Sequence, residues 1–299
     1  LRHPAPHEVL AGEMRAVVQS AYGEADVLRL DQIARPAIKP REVLVQVRAA
    51  GLDRGTWHLM AGKPYAARLV LGLRAPRYPV PGRDLAGVVA AVGNDVTRFR
   101  PGDEVFGIGK GSFAEFAIAP EKKLVAKPAS LTFEQAAAIP ISGITALRGL
   151  RDSGRLKAGQ SVLITGASGG VGTFAVQIAK ALGADVTAVC SGAKADLVSS
   201  LGADRVIDYT QEDFADEDRR YDLILDIAGG ASVPRLRRAL TPRGTLVIVG
   251  SENGGRWLGV GRQLRAAALS PFVRQRLVML VATENRRDIE RLLELVTDG

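Results

Sequence analysis

The stretch that most constrains this chain is Gln160–Gly172, which reads Gln-Ser-Val-Leu-Ile-Thr-Gly-Ala-Ser-Gly-Gly-Val-Gly. Val162–Thr165 is an apolar, largely β-branched run of the kind that forms a buried strand. Gly166, Gly169, Gly170 and Gly172 then crowd a sharp turn. Phe174, Ile178 and Leu182 follow at i, i+4 and i+8, which predicts a helix, and Gly183 ends it. Strand, glycine turn and helix together open a βαβ unit. Residues without side chains let the backbone approach a pyrophosphate, and the helix N-terminus favours its negative charge.

Three motifs overlap in this stretch. Ala167-x-Gly169-x-x-Gly172 is a dinucleotide fingerprint with alanine in the first glycine place. Gly166-Ala167-Ser168-Gly169-Gly170 has the spacing of a serine nucleophile elbow. Thr165-Gly166-x-x-x-Gly170-x-Gly172 is similar to the glycine motif of short-chain dehydrogenases. An elbow serine needs its histidine later in the chain, whereas His3, His7 and His58 all precede Ser168. Short-chain enzymes carry Tyr-x-x-x-Lys downstream, and neither Tyr209 nor Tyr221 has lysine four residues later. The dinucleotide fingerprint remains, with Gly166, Ala167, Ser168, Gly169, Gly170, Val171 and Gly172 as candidate cofactor contacts.

A β-rich segment precedes this unit. Arg15–Gln19, Val27–Asp31, Glu42–Arg48, Leu85–Val92, Glu104–Ile108 and Ser112–Ala119 read as strands, with Pro36, Pro40, Pro76, Pro79, Pro81 and Pro101 in the loops. Glu42–Arg48 alternates, which places Val43, Val45 and Val47 on one face. This mixture predicts a compact, barrel-like domain over residues 14–131. Residues 1–13 lack periodicity and read as a disordered leader before Met14. Thr132–Ala138 starts a helical region, Thr132 acting as N-cap and Gln135 completing a capping box. From there, over residues 132–299, strands and helices alternate. Asp185–Cys190, Arg205–Tyr209, Tyr221–Ala228, Thr245–Val249 and Leu277–Ala282 are the further strands. Ala195–Leu201 is a helix stopped by Gly202, and Ile289, Leu292, Leu293 and Val296 define a last amphipathic helix. Such alternation means a parallel sheet covered by helices.

The chain's 299 residues suffice for two cores. No apolar run approaches the roughly 18 residues of a membrane span, so no membrane is expected. A net charge of +8 raises the question of nucleic acid, but the arginines are scattered in sequence and aromatics are only 5%. A basic surface that suits an anionic cofactor, with no nucleic-acid partner, is the expectation. The single Cys190 excludes a disulfide framework and, with no signal or transit pattern, predicts a reducing, cytoplasmic setting.

A β-rich half ahead of a dinucleotide-binding half resembles the medium-chain dehydrogenase/reductase superfamily, in its zinc-independent, quinone oxidoreductase-like branch. The resemblance rests on Pro81-Gly82-Arg83-Asp84-Leu85-Ala86-Gly87, Gly93-x-x-Val96-x-x-Phe99-x-x-Gly102-Asp103-x-Val105, Ser112-Phe113-Ala114-Glu115 and the Gly166–Gly172 turn. Leu201-Gly202-Ala203-Asp204 before the Val206-Ile207-Asp208-Tyr209 strand adds to it. It implies an α/β protein with a GroES-like catalytic domain followed by a Rossmann NADP-binding domain. It also implies a small-molecule carbonyl or quinone substrate, and it allows a homodimer. Zinc enzymes of the superfamily carry Gly-His-Glu where this chain has Gly82-Arg83-Asp84, and they use cysteines absent here. One cysteine and one histidine within the folded domains cannot supply the three ligands of a catalytic zinc or the four of a structural one.

NAD-specific folds place a carboxylate after the second strand, on the ribose hydroxyls. Here that turn is Cys190-Ser191-Gly192-Ala193-Lys194, so Ser191 and Lys194 predict NADP(H) through its 2′-phosphate. Lys194 has the alternative of a solvated helix start, and Tyr209 is either a further adenosine-phosphate contact or strand-end packing. Gly250, after the fifth strand, is expected at the cofactor as well. The resemblance places Thr145 near the nicotinamide and aligns Gly51–His58 with the substrate-side loop. Asp53, His58 and Tyr65 are the catalytic candidates, His58 and Tyr65 as donors to a developing oxyanion; Trp57 reads as packing. Many relatives have asparagine where Asp53 stands. The expected function is hydride transfer from NADPH to a quinone or an α,β-unsaturated carbonyl; the alternative is a nucleotide-binding protein with an interaction or structural role. The resemblance also implies that the chain returns to its first domain through further strands. Nothing after the sixth strand fills that role, so the expectation is a chain incomplete at its C-terminus.

Overall fold

The computed structural model describes residues 12–216, 218–250, 261, 266, 269, 270, 273–280 and 283–297. The chain divides into two compact units, one running to Ile141 and taking in Glu284–Leu293, the other formed by Ser142–Thr283 and the residues from Glu294.

In the first unit β1 (Glu13–Gln19) pairs antiparallel with β2 (Leu28–Ala34). β3 (Glu42–Ala50), β4 (Asp84–Val92), β5 (Glu104–Ile108), β6 (Phe116–Pro120) and β7 (Leu124–Ala126) form an antiparallel sheet in the order β6-β3-β4-β5-β7. Val43, Val45 and Val47 of β3 share one face as expected, and the other face of the strand is buried as well. Val43 and Val45 join Leu85, Val105 and Leu124 on one side, while Leu44 meets Met14, Ala91 and Phe116 on the other. The cover on that second side includes Met14 of β1, and an isolated bridge between Ala16 and Ala114 ties the two sheets. The same bridge explains why the strand predicted from Ser112 begins only at Phe116. Val17 N–H donates to Phe113 O at 2.8 Å and Glu115 N–H to Arg15 O at 3.1 Å, so residues 113–115 are spent on β1.

Helices α1 (Arg54–Ala61) and α2 (Arg68–Leu71) lie between β3 and β4 in the chain. α3 (Phe133–Ala138) starts on the predicted capping box, with Thr132 Oγ1 accepting from Gln135 N–H at 3.2 Å and Gln135 Oε1 from Thr132 N–H at 2.9 Å. α4 (Pro140–Arg148) follows.

The second unit holds six parallel strands: β8 (Ser161–Thr165), β9 (Asp185–Cys190), β10 (Arg205–Asp208), β11 (Tyr221–Asp226), β12 (Leu240–Ile248) and β13 (Arg276–Met279). Their order is β10-β9-β8-β11-β12-β13. Strand order therefore reverses between β8 and β11, which defines the switch point at which open α/β sheets bind ligands. β12 begins five residues earlier than expected because Leu240 pairs with Tyr221 ahead of a register shift. The predicted continuation of β13 through Val281 and Ala282 lies outside the described residues, as do residues 1–11 of the leader and Asp298–Gly299.

Three helices of this unit, α5 (Gly170–Ala181), α6 (Ala195–Ser200) and α7 (Val233–Arg238), follow β8, β9 and β11 in turn. The buried face of α5 is Gly172, Ala175, Val176, Ile178 and Ala179; Phe174 and Leu182 of the predicted stripe are only half-buried. Small residues win this face because they allow the helix to approach the sheet closely. α8 (Arg286–Thr297) buries Ile289 and Leu292 as its periodicity predicts, while Val296 stays 47% exposed. Among the described residues no helix is long and apolar enough to cross a membrane.

Candidate functional site

The carboxyl ends of β8 and β11 meet at the switch point, with Thr165 opposite Asp226. Thr165 Oγ1 donates to Asp226 Oδ1 at 2.8 Å and accepts from the N–H groups of Ile227 (3.1 Å) and Ala228 (3.3 Å). One buried hydroxyl thereby fixes how two strands end. Gly166 follows at φ 70°, a left-handed conformation that suits glycine. A Cβ on Gly172 would sit 2.2 Å from Gly166 O, so α5 can lie against the turn only without a side chain there. A Cβ on Gly250 would sit 1.9 Å from Ile227 O, and Gly250 N–H donates to Asp226 O at 3.2 Å.

The rest of the turn is open. Gly169 caps α5 with no side-chain hydrogen bond, and it and Gly170 are exposed. A Cβ on Gly169 would meet only Gly166 O, at 3.4 Å. Free N–H groups, a bare approach and a helix N-terminus fit a pyrophosphate. Ala167 is buried, and Ser168 and Val171 are half-buried along the same turn. Ser142 of α4 lies beside the turn, its Oγ 3.1 Å from a Cβ built on Gly170, and Thr145 is half-buried one helical turn further along.

Ser191, Lys194 and Tyr209 come together where β9 and β10 end. Lys194 N–H donates to Ser191 O at 2.9 Å and Tyr209 N–H to Cys190 O at 3.1 Å. Tyr209 is 64% exposed, which removes strand-end packing as its role. Sequence reading missed Asp208. It sits opposite Cys190 on the neighbouring strand, and a Cβ on Gly192 would lie 2.5 Å from its Oδ2. The Thr210 backbone N–H, the Thr210 hydroxyl and the Gly192 N–H hold this carboxyl below its ordinary range. β9 by itself does not contain it; its signal is the Val206-Ile207-Asp208-Tyr209 strand, which matters because β10 lies beside β9. Burial, and then Asp208, push the Cys190 thiol up, away from thiolate chemistry.

The catalytic candidates belong to the first unit. Asp53 is the N-cap of α1: Oδ1 accepts from Thr56 N–H at 3.0 Å and Oδ2 from the Thr56 hydroxyl at 2.6 Å. His58 is half-buried in α1, with its ring edge-on to Trp57 at 5.0 Å. Trp57 packs as expected, under the Arg54 guanidinium at 4.1 Å, and its Nε1–H donates to Glu24 at 3.0 Å. Tyr65 is half-buried beneath Arg68, 4.6 Å from the ring centroid. Arg83, at the position of the zinc enzymes' histidine, forms an ion pair with Glu284, which also accepts from Lys123 at 2.7 Å. Burial pushes the Glu284 carboxyl up, but the two cations outweigh it and leave it below its ordinary value. A paired guanidinium at that position is no metal ligand.

Asp84, beside Arg83, is 2% exposed. Its Oδ2 accepts from Ile141 N–H at 3.1 Å, and Oδ1 has no hydrogen-bond partner among the described residues. Burial, and then the Asp53 charge, raise its pKa well above the usual range against the Ile141 N–H and Arg83. A carboxyl whose folded pKa exceeds its unfolded value contributes its full stability below the unfolded pKa of about 3.9 and loses it as pH rises toward the folded one. Asp84→Asn keeps an acceptor for Ile141 and cannot ionise. The variant is therefore expected to match the parent near pH 4 and to gain on it in thermal melts as pH rises above that, until the buried carboxyl has ionised; a pH-independent difference would refute the buried neutral acid.

This fold and cradle define a two-domain, pyridine-nucleotide-dependent oxidoreductase. The family model of the alcohol dehydrogenase GroES-like domain matches residues 39–129, and that of the zinc-binding dehydrogenase domain matches residues 170–298. The chain is 36% identical to the 2-methylene-furan-3-one reductase of Solanum lycopersicum, over 88% of this chain and 72% of that one. It is also 36% identical to the chloroplastic NADPH-dependent alkenal/one oxidoreductase of Arabidopsis thaliana, over 87% and 72%. The quinone oxidoreductase structure from Coxiella burnetii superposes with a TM-score of 0.82 at 29% identity, covering 96% of this chain and 88% of that one. The chain belongs to the medium-chain dehydrogenase/reductase superfamily, in its quinone oxidoreductase-like branch.

Proposed function

We propose that this chain is a zinc-independent, NADPH-dependent reductase that transfers hydride to a quinone or to the β-carbon of an α,β-unsaturated carbonyl. The observation that carries this reading is the open glycine turn at the switch point, with Ser191, Lys194 and Tyr209 gathered at the end of β9. The turn residues Gly166–Gly172 and Gly250 would hold the pyrophosphate side of the cofactor, and Ser191, Lys194 and Tyr209 a 2′-phosphate. A bound dihydronicotinamide supplies the hydride. The chain's own share is to hold that ring, through Thr145, and to donate hydrogen bonds from His58 and Tyr65 to the carbonyl oxygen as charge develops on it. Asp53 holds the first turn of α1 and so positions His58. Zinc independence is supported by the residue inventory and by Arg83 at the histidine position. Asp208 is the counterweight to NADPH, because a carboxylate beside Gly192 favours ribose hydroxyls over a phosphate. A homodimer is the proposed assembly, and the buried Cys190 supports a reducing, cytoplasmic setting.

Oxidation of NADPH and NADH, followed across a panel of quinones and enones with and without a chelator, tests the reading. Turnover that favours NADPH and survives chelation is expected; tight cofactor binding with no turnover on any substrate would favour a nucleotide-binding role instead. Lys194→Ala is expected to weaken NADPH binding while NADH binding stays nearly unchanged. A charge-assisted hydrogen bond is worth about 1.5–3 kcal/mol, or roughly ten- to a hundredfold in affinity. Equal losses for both cofactors would remove Lys194 from the 2′-phosphate site.

A further inference from the structure

The fold gathers basic residues that the sequence scatters. Two adjoining cavities open at the amino-terminal edge of the six-stranded sheet, the edge opposite Thr165, Asp226 and Gly250. The larger, of about 740 Å³, is lined by Arg235, Arg237 and Arg238 at the end of α7 and by Arg274 just before β13. The smaller, of about 330 Å³, is lined by Arg155, Lys157, Arg243 and Arg276. They adjoin at β12, where Pro242 lines the larger and its neighbours Thr241 and Arg243 line the smaller. Asp222 is the one carboxylate among these lining residues, and it is already bonded to the backbone N–H (3.1 Å) and hydroxyl (3.2 Å) of Ser161.

Ordinary structural roles account for part of this cluster. Cations at the end of α7 complement its dipole, Arg235 pairs with Asp213, and Arg237 bonds Gln275. Arg155, Lys157, Arg243 and Arg274 have no carboxylate partner among the described residues. Arg155 is held at φ 54°, the one non-glycine residue with positive φ among them. Burial and the Arg155 charge together push the half-buried Arg276 below its ordinary pKa. Eight cations converge here, and among the described residues Asp222 in the lining and Asp213 on Arg235 are the carboxylates set against them.

The lining chooses the anion. Seven of the eight cations are arginines, whose planar forks match phosphate oxygens. No aromatic side chain lines either cavity, so there is no platform for stacking bases of the kind that single-strand binders use. Val273 and two prolines are the apolar side chains present, too little to enter a bilayer. We propose that this edge of the sheet binds a base-free chain of phosphates, of the inorganic polyphosphate kind.

The test titrates the full chain with labelled polyphosphate and follows anisotropy at increasing salt. Binding at physiological salt that falls steeply as salt rises is expected, because phosphate contacts release counterions. The double variant Arg155→Glu, Arg243→Glu is expected to lose affinity by about tenfold or more. Its thermal melt and its NADPH affinity should stay unchanged, since the nucleotide cradle lies at the other edge. Should that variant melt early, Arg238→Ala with Arg274→Ala gives the same reading with smaller changes. An absence of binding at physiological salt overturns the proposal, and so does unchanged affinity in a folded variant. Oligouridylate or anionic vesicles binding as tightly as polyphosphate at equal phosphate concentration also overturns it.

Discussion

Thr165→Val is expected to destabilise the second unit by about 3 kcal/mol, with Thr165→Ser close to the parent. Valine matches threonine in shape, so no cavity opens. What is lost is a hydroxyl that donates to Asp226 and accepts from two backbone N–H groups. Thr165 is 4% exposed and Asp226 is fully buried, so water cannot replace those bonds. Each buried polar group left unsatisfied costs about 1–3 kcal/mol, more for a carboxylate. Denaturant unfolding monitored on the full chain measures the effect. A loss below about 1 kcal/mol, or serine behaving like valine, would mean that the strand ends are held by other contacts.

Gly172→Ala should be the most damaging single change to cofactor binding. The new Cβ would lie 2.2 Å from Gly166 O and 2.6 Å from two backbone atoms of Ala167. None of these atoms is the end of a flexible side chain, so α5 must move away from β8. Overpacking of this kind costs about 1–3 kcal/mol, and here the displaced element carries the N–H groups proposed to face the pyrophosphate. A lowered melting temperature and a loss of nucleotide affinity of about a hundredfold should appear together. Gly169→Ala is the contrast: its Cβ has a free position, so stability should hold while affinity falls. If both variants bind the nucleotide as the parent does, the turn is structural and the cofactor lies elsewhere.

The glycine turn was readable because its constraints are local. A positive φ, a bare approach and a helix start all belong to neighbouring residues, and so does the capping box at Thr132. Other features depended on register. The second buried face of β3 needed β1 laid across Leu44, which periodicity within β3 cannot reveal. Asp208 was overlooked because its relevance comes from lying beside Cys190 on another strand. Asp53 reads from sequence as a catalytic candidate, and only the fold shows that its two hydrogen bonds to Thr56 also cap a helix.

By itself the sequence determined the class of fold, the glycine turn that ends β8 and the scarcity of cysteine and histidine, because each follows from residue type and short-range order. The tertiary structure decided which distant groups became neighbours: Thr165 with Asp226, Arg83 with Glu284, Asp84 with the start of α4, and eight scattered cations along one sheet edge. Their energies depend on burial and separation in space, and a linear chain specifies neither until its strands have chosen their order.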